Sequence, residues 1–231
     1  MSARREASAT SGRIAIFGGT FNPIHLGHLR AAEQVVELLG LERILFVPSG
    51  DPPHKQGGCL APAKLRLEWV ERAIAGNERF AVDALEVERE GPSYSLETVR
   101  ALGARCAPEP PIFVVGCDAL REMATWREPE AILREAHLAV MARRGAGVGG
   151  ALPGSFPPTL AASYAFDGDG RGGRHRETGT FVRWLPIVPL DVSATDVRRR
   201  LSSGRSIRYL VPESIHAAVL ESGCWMEPES A

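Results

Sequence analysis

A doubly wound parallel α/β sheet in a single domain is the fold this sequence predicts. Short apolar runs rich in β-branched and aromatic residues, IAIF at 14–17, RILFV at 43–47, PIFVV at 111–115 and HLAVM at 137–141, read as buried strands. Amphipathic stretches separate them, and that alternation gives a parallel sheet helices on both faces. Two strand-to-helix junctions, at 18–28 and 192–198, carry polar turns with small residues. A doubly wound sheet gathers such junctions along its carboxyl edge, where ligands bind.

In the first junction, Gly18-Gly19 stops the opening strand and Thr20-Phe21-Asn22-Pro23 turns the chain. A helix follows from Leu26, with Leu29, Ala32, Val35, Val36 and Leu39 on its apolar stripe. Strand, glycine turn and helix in that order build an anion site. Backbone N–H groups can approach a phosphate there, and the helix N-terminus adds partial positive charge. His25 and His28, three residues apart, share a face and can donate to phosphate oxygens. Neither a GxGxxG fingerprint nor a Walker loop is present.

Composition sets the bounds. The 231 residues can bury one sizeable core, and 44% hydrophobic with 24% charged residues is ordinary for a globular protein. A net charge of −1 supplies no global field to recruit nucleic acid or a membrane, so neither partner is expected. Cysteines 59, 106, 117 and 224 share no CxxC spacing and read as reduced thiols of a cytoplasmic protein, with no metal site. Residues 1–12 lack the apolar core of a signal peptide and read as a frayed tail. Residues 13–223 form the expected domain, and 224–231 a C-terminal tail.

Further along, PSGDPPHKQGG at 48–58 is a long loop after the second strand, presenting His54 and Lys55. Lys64 to Ala75 is expected to be a helix with Trp69 in the core, and Phe80 to Val87 a strand. Pro92-Ser93-Tyr94-Ser95 opens a helix over 96–106, with Ser93 or Ser95 fit to cap it. Asp118, just after the strand at 111–115, is placed either to accept ribose hydroxyls or to cap the next helix. Thr125-Trp126-Arg127-Glu128 has the pattern of a capping box. Residues 145–179 hold ten of the 24 glycines, which predicts a long irregular insertion without a core of its own. Phe181 to Val188 is the last strand. Ser193 and Asp196 then form a second capping box, which places Arg198 one turn into its helix. Arg198, Arg199 and Arg200 could alternatively be a solvated, nucleic-acid-binding face. Pro212 to Gly223 closes the chain as an amphipathic helix.

GGTFNPIHLGH, with His25-Leu26-Gly27-His28, closely resembles the HxGH signature of a nucleotidyltransferase superfamily, and most of all the bacterial nicotinate-nucleotide adenylyltransferases. Four further motifs match in the family's order: PPHK at 52–55, PSYS at 92–95, Thr125-Trp126, and VSATDVR at 192–198. Departures from the family pattern are Ser49-Gly50-Asp51, where asparagines are common, and Arg127, often aromatic in relatives. The resemblance implies a Rossmann-like nucleotidyltransferase fold and adenylyl transfer from ATP to nicotinate mononucleotide, with Mg²⁺ carried on the ATP. It assigns His25, His28, Lys55 and Arg198 to the reacting phosphates. Gly18, Gly19, Thr20, Phe21, Asp118, Ser193 and Thr195 go to the rest of ATP, and Ser95 and Trp126 to the nicotinate nucleotide. Three rivals stay open: a sister transferase of the superfamily, a nucleotide-sensing regulator, and an arginine-rich nucleic-acid binder.

Overall fold

The structure, a computed structural model, describes residues 14–52, 60–141 and 152–226. The chain divides into two compact units. The first comprises Met1–Gly18, Ala31–Leu45 and Tyr94–Pro189; the second comprises Gly19–Arg30, Phe46–Ser93 and Leu190–Ala231.

Strand and helix alternate through most of the chain, as the apolar runs predict. β1 (Ile14–Gly19), α1 (Leu26–Leu39), β2 (Arg43–Pro48), α2 (Ala63–Ile74), β3 (Phe80–Val82), α3 (Leu85–Glu88) and α4 (Ser95–Cys106) come first. β4 (Ile112–Gly116), α5 (Cys117–Glu122), a 3₁₀ turn at Met123–Thr125, α6 (Pro129–Glu135) and β5 (His137–Met141) follow. The chain ends with α7 (Leu152–Ser155), α8 (Pro158–Ala161), β6 (Tyr164–Phe166), β7 (Gly172–His175), β8 (Phe181–Leu185), α9 (Ala194–Ser202) and α10 (Glu213–Glu221). The strands hydrogen-bond in the order β3-β2-β1-β4-β5-β8-β7-β6. β1 with β4, β4 with β5 and β5 with β8 are parallel, in register Ala15↔Ile112, Val114↔Ala139 and Val140↔Trp184. The expected doubly wound sheet is therefore present, and a β6-β7 antiparallel edge extends it.

The first unit's core is the strand interior, where Ala15, Ile16, Ile112, Leu138, Ala139 and Val140 are fully buried. Gln34, a polar residue among them, is accommodated because its amide pairs both ways with the Val188 backbone, at 3.0 and 2.8 Å. In the second unit, Trp69 and Val70 of α2 and Ile215 and Val219 of α10 are likewise fully buried, and Trp225 packs 5.9 Å from Trp69.

Two expectations are corrected. The strand expected over 80–87 stops at Val82 because the Asp83 carboxylate accepts the Leu85 amide at 3.0 Å, a local bond that turns the backbone into α3. The insertion expected to be irregular is largely regular from 152 onward, and residues 145–151 lie outside the described residues. Phe156, Tyr164, Phe166 and His175 form an aromatic cluster with ring centroids 5.3 to 5.9 Å apart, which gives the β6-β7 hairpin its own buried face. Gly173 lets two strands approach closely: a Cβ there would come within 3.0 Å of the Ala165 carbonyl oxygen.

Phe156 is 4% exposed at the centre of that cluster. Phe156→Ala should therefore cost ~3–4 kcal/mol of unfolding free energy, read as a lower urea midpoint. A silent substitution would mean the segment is a loose appendage after all.

Candidate active site

In the second unit, Gly19 closes β1, and a Cβ there would lie 3.0 Å from the Phe21 ring, tighter than ordinary contact. Gly18, in the first unit, has ordinary room, with the Phe113 ring 3.7 Å away. Phe21 sits in the left-handed region at φ 46° and is 2% exposed, a strained backbone position held by packing. Its ring meets Phe46 at 5.8 Å and the edge of His28 at 5.1 Å.

The two histidines face each other. Their rings stack at 3.7 Å with 25° between planes. His25 is 6% exposed, and its backbone N–H donates to His28 Nδ1 at 3.2 Å. With Nδ1 accepting, a neutral His28 carries its proton on Nε2 and presents a donor there. The glycine between them is a geometric necessity, since a Cβ on Gly27 would approach the His25 ring to 3.0 Å and the Val192 carbonyl oxygen to 3.2 Å. Val192 immediately precedes Ser193, so Gly27 lets the second signature close on the first. The Leu26 amide also donates to the Leu210 carbonyl at 2.9 Å.

Ser193 caps α9, its Oγ accepting the Asp196 amide at 3.1 Å, as the capping box predicts. The three arginines after it part ways. Arg198 turns back to donate to the Asn22 carbonyl at 2.9 Å and to Thr195 Oγ1 at 3.2 Å. Arg199 and Arg200 both pair with Asp196, and these two hydrogen bonds, Arg200's the stronger, hold its carboxyl below the usual carboxylate range. His25, His28, Thr20, Phe21, Ser193, Thr195 and Arg198 are thus gathered within one unit.

Two residues that the sequence reading missed hold this arrangement. Arg66 on α2 is fully buried and donates to three carbonyls: Ala61 through Nε at 2.9 Å, Thr20 through Nη1 at 2.7 Å and Gly50 through Nη2 at 3.0 Å. Desolvation lowers its pKa to about 10 against the opposing pull of Glu86, so it stays charged at neutral pH. Asn22 accepts the Ala61 amide on Oδ1 at 3.0 Å while its carbonyl takes Arg198. Arg66 lies outside the five motifs, and the turn string that contains Asn22 does not show its pairing with Ala61 and Arg198, 39 and 176 residues away. The Ser49-Gly50-Asp51 departure has a steric logic of its own: a Cβ on Gly50 would lie 2.1 Å from the Glu86 carbonyl oxygen. Lys55 and His54 lie outside the described residues.

Ser95, Asp118 and Trp126 belong to the first unit. Ser95 is the first residue of α4, whose cap position is Tyr94 with no side-chain cap, so neither Ser93 nor Ser95 performs the capping the sequence allowed. Asp118 is the second residue of α5, not its cap; it pairs with Arg121 at 3.1 Å and its carboxylate is 60% exposed. Trp126 is half-buried, its ring 6.3 Å from Phe113 and steeply tilted to it. The capping box expected at 125–128 does not form. Pro129 sets the helix start, Glu128 takes the cap position at φ 47°, and Thr125 Oγ1 donates to the Glu122 carbonyl instead. Among the described residues, no group of three or more His, Cys, Asp or Glu side chains could cage a metal ion, and no helix is long and apolar enough to cross a membrane.

The family model described as cytidylyltransferase-like matches residues 16–200. A relative from Rubrobacter xylanophilus, named a probable nicotinate-nucleotide adenylyltransferase, is 39% identical over 216 residues, covering 92% of each chain. One of the same name from Symbiobacterium thermophilum is 39% identical over 220 residues, covering 94% of this chain and 97% of its own. Among solved structures, the Plasmodium falciparum nicotinic acid mononucleotide adenylyltransferase complexed with NaAD superposes with a TM-score of 0.70 at 15% identity, covering 93% of this chain and 97% of that one. At that identity the likeness speaks for the fold alone.

Arg66→Lys tests the buried staple. An ammonium reaches fewer of the three carbonyls, and each buried acceptor left unpaired costs roughly 1–3 kcal/mol. A loss of ~2–4 kcal/mol in chemical denaturation is expected; a change below ~0.5 kcal/mol would show that the carbonyls find other partners.

Proposed function

As a chain that belongs to the cytidylyltransferase-like family, among the nicotinate-nucleotide adenylyltransferases, this protein, we propose, transfers the adenylyl group of ATP to nicotinate mononucleotide. The products are nicotinate adenine dinucleotide, an intermediate of NAD biosynthesis, and pyrophosphate. The observation that carries the reading is Arg198: its guanidinium lies on the Asn22 carbonyl, joining the second signature to the HxGH turn. A separate observation weakens the nucleic-acid rival: Arg199 and Arg200 share the Asp196 carboxylate, which offsets one of their two charges and ties both to their own helix.

The nucleophile in this reaction is a 5′-phosphate oxygen of the mononucleotide, already ionised at neutral pH. It forms a bond to the α-phosphorus of ATP, and the electron pair of the breaking Pα–O bond leaves with pyrophosphate. No general base is needed. What the protein must supply is alignment and compensation of charge on the leaving group. We assign that to His25, His28, Arg198 and Lys55. Gly18, Gly19, Thr20 and Phe21 offer backbone to the nucleotide, Ser193 and Thr195 offer hydroxyls, and Asp118 accepts from the ribose. Ser95 and Trp126 are assigned to the acceptor, the indole stacking on the pyridine ring and the start of α4 meeting its carboxylate. Nucleotidyltransferases acting on ATP generally use a divalent metal. The Mg²⁺ of this reading is carried by ATP as part of the substrate. The free thiols at Cys106, Cys117 and Cys224 support the cytoplasmic setting.

The test is to supply ATP, Mg²⁺ and a panel of acceptor phosphates and to measure pyrophosphate and dinucleotide. A regulator that only senses nucleotides would release none. His28→Ala should lower kcat by about 10²–10³-fold in a protein that remains folded by circular dichroism. Arg198→Ala should be at least as damaging, at roughly 10³-fold. Full turnover in either variant removes that residue from the machinery.

Acceptor choice is a separate expectation. A carboxylate is satisfied by donors alone, whereas a carboxamide turns its own NH₂ toward some of them and leaves donors unpaired, at roughly 1–3 kcal/mol each. Nicotinate mononucleotide should therefore exceed its nicotinamide counterpart by at least ~10²-fold in kcat/KM, and Trp126→Ala should weaken both and spare the ratio. Equal kcat/KM for the two would falsify the carboxylate assignment at α4.

A further inference from the structure

We infer that Arg127 is a positioning residue for the acceptor, fastening the corner that carries Trp126 to the first turn of α4, which carries Ser95. The inference rests on the reading just given, in which Trp126 and Ser95 meet the acceptor. The Arg127 guanidinium lies over the Tyr94 ring, 4.8 Å from its centroid, and approaches the Glu97 carboxylate to 3.4 Å. Tyr94 is the cap residue of α4 and Glu97 lies in its first turn, so both contacts grip the stretch that presents Ser95.

The corner needs such a tie. Residues 126–128 lie between a one-turn 3₁₀ segment and α6, with Glu128 held at φ 47°. Trp126 meets Phe113 edge-on at 6.3 Å between ring centroids. One helical turn along α4, Arg100 forms a forked pair with Glu135 at the far end of α6, its closest contact 2.8 Å. The two ties have opposite polarity. α4 offers an acid to Arg127 and a base to Glu135, so sliding one helix along the other sets like charges together. Both pairs are about half exposed and add little to global stability. Their effect is on position, and a small displacement of a stacking group is felt in binding.

The test measures KM for nicotinate mononucleotide and for ATP, kcat, and the mononucleotide Kd by calorimetry, in Arg127→Leu, Arg127→Phe, Glu97→Gln and the Arg127→Leu/Glu97→Gln pair. Arg127→Leu should raise acceptor KM and Kd about 3–10-fold, with ATP KM and kcat within about twofold and Tm nearly unchanged. Arg127→Phe, which restores a partner for the Tyr94 ring, should recover most of that loss. Glu97→Gln should cost less, and the double variant no more than Arg127→Leu alone. Unchanged acceptor KM, a parallel rise in both KM values, or additive losses in the double variant would each overturn the tie while leaving adenylyl transfer standing. If the wild-type protein neither binds nor adenylates nicotinate mononucleotide, the functional reading falls, and the tie with it.

Discussion

A buried charge with three backbone partners is the constraint on which the second unit's HxGH turn depends. Arg66 reaches Thr20 at the end of β1, Gly50 after β2 and Ala61 ahead of its own helix. An isolated guanidinium in the interior is costly, and three aligned carbonyl dipoles compensate it while finding partners themselves. The consequence reaches the site through the peptide plane. In a trans peptide the C=O and the following N–H point in opposite directions. Holding the Thr20 carbonyl inward therefore turns the Phe21 amide away from Arg66, and holding the Gly50 carbonyl does the same for Asp51. A turn that offers N–H groups to phosphate on the proposed reading is shaped by a residue that touches only its oxygens.

Around that staple, close approach replaces side chains. Gly19 yields to the Phe21 ring, Gly27 to the His25 ring and the Val192 carbonyl, and Gly50 to the Glu86 carbonyl. At each, a single methyl group would push one wall of the turn outward. Phe21, held at φ 46° and buried, accepts backbone strain so that its ring can support His28 from the side while His25 supports it from the face. The His28 imidazole is thereby held in plane and in tautomer, the preorganisation that the proposed charge-stabilising role calls for.

The strand–helix order was legible because IAIF, RILFV, PIFVV and HLAVM each bury both faces and carry no competing helical period. The HxGH string and the VSATDVR string were legible because their chemistry is local. Where reading failed, one residue type had two uses. Gly172 and Gly173 resemble linker glycines in composition, yet they sit in β7, where a Cβ on Gly173 would crowd the Ala165 carbonyl oxygen. Thr125 to Glu128 has capping-box spacing, but Pro129 overrides it by fixing where the helix can begin. Asp83 interrupts an alternating run with a side-chain bond that periodicity does not register. Arg66 was the hardest to see. An arginine on an amphipathic helix normally faces solvent, and only the meeting of residues 20, 50 and 61 reveals that this one does not.

The arginine trio shows how one helix can sort identical residues. Successive positions on an α-helix are rotated by about 100°, so Arg198, Arg199 and Arg200 cannot share a direction. Ser193 fixes where the helix starts, and Asp196, three residues on, becomes the partner at i+3 and i+4 for Arg199 and Arg200. Arg198, two residues beyond Asp196, is out of reach of that carboxylate's face and is left to find Thr195 Oγ1 and the Asn22 carbonyl. The capping box thus does more than begin a helix. By engaging two of the three arginines, Asp196 leaves the remaining guanidinium on the HxGH turn, held by hydrogen bonds to neutral oxygens. Charge-assisted bonds to phosphate are roughly twice as strong as those to neutral acceptors. On the proposed reading, moving Arg198 onto a triphosphate would exchange neutral acceptors for charged ones, whereas an arginine committed to a carboxylate would have to break an ion pair first.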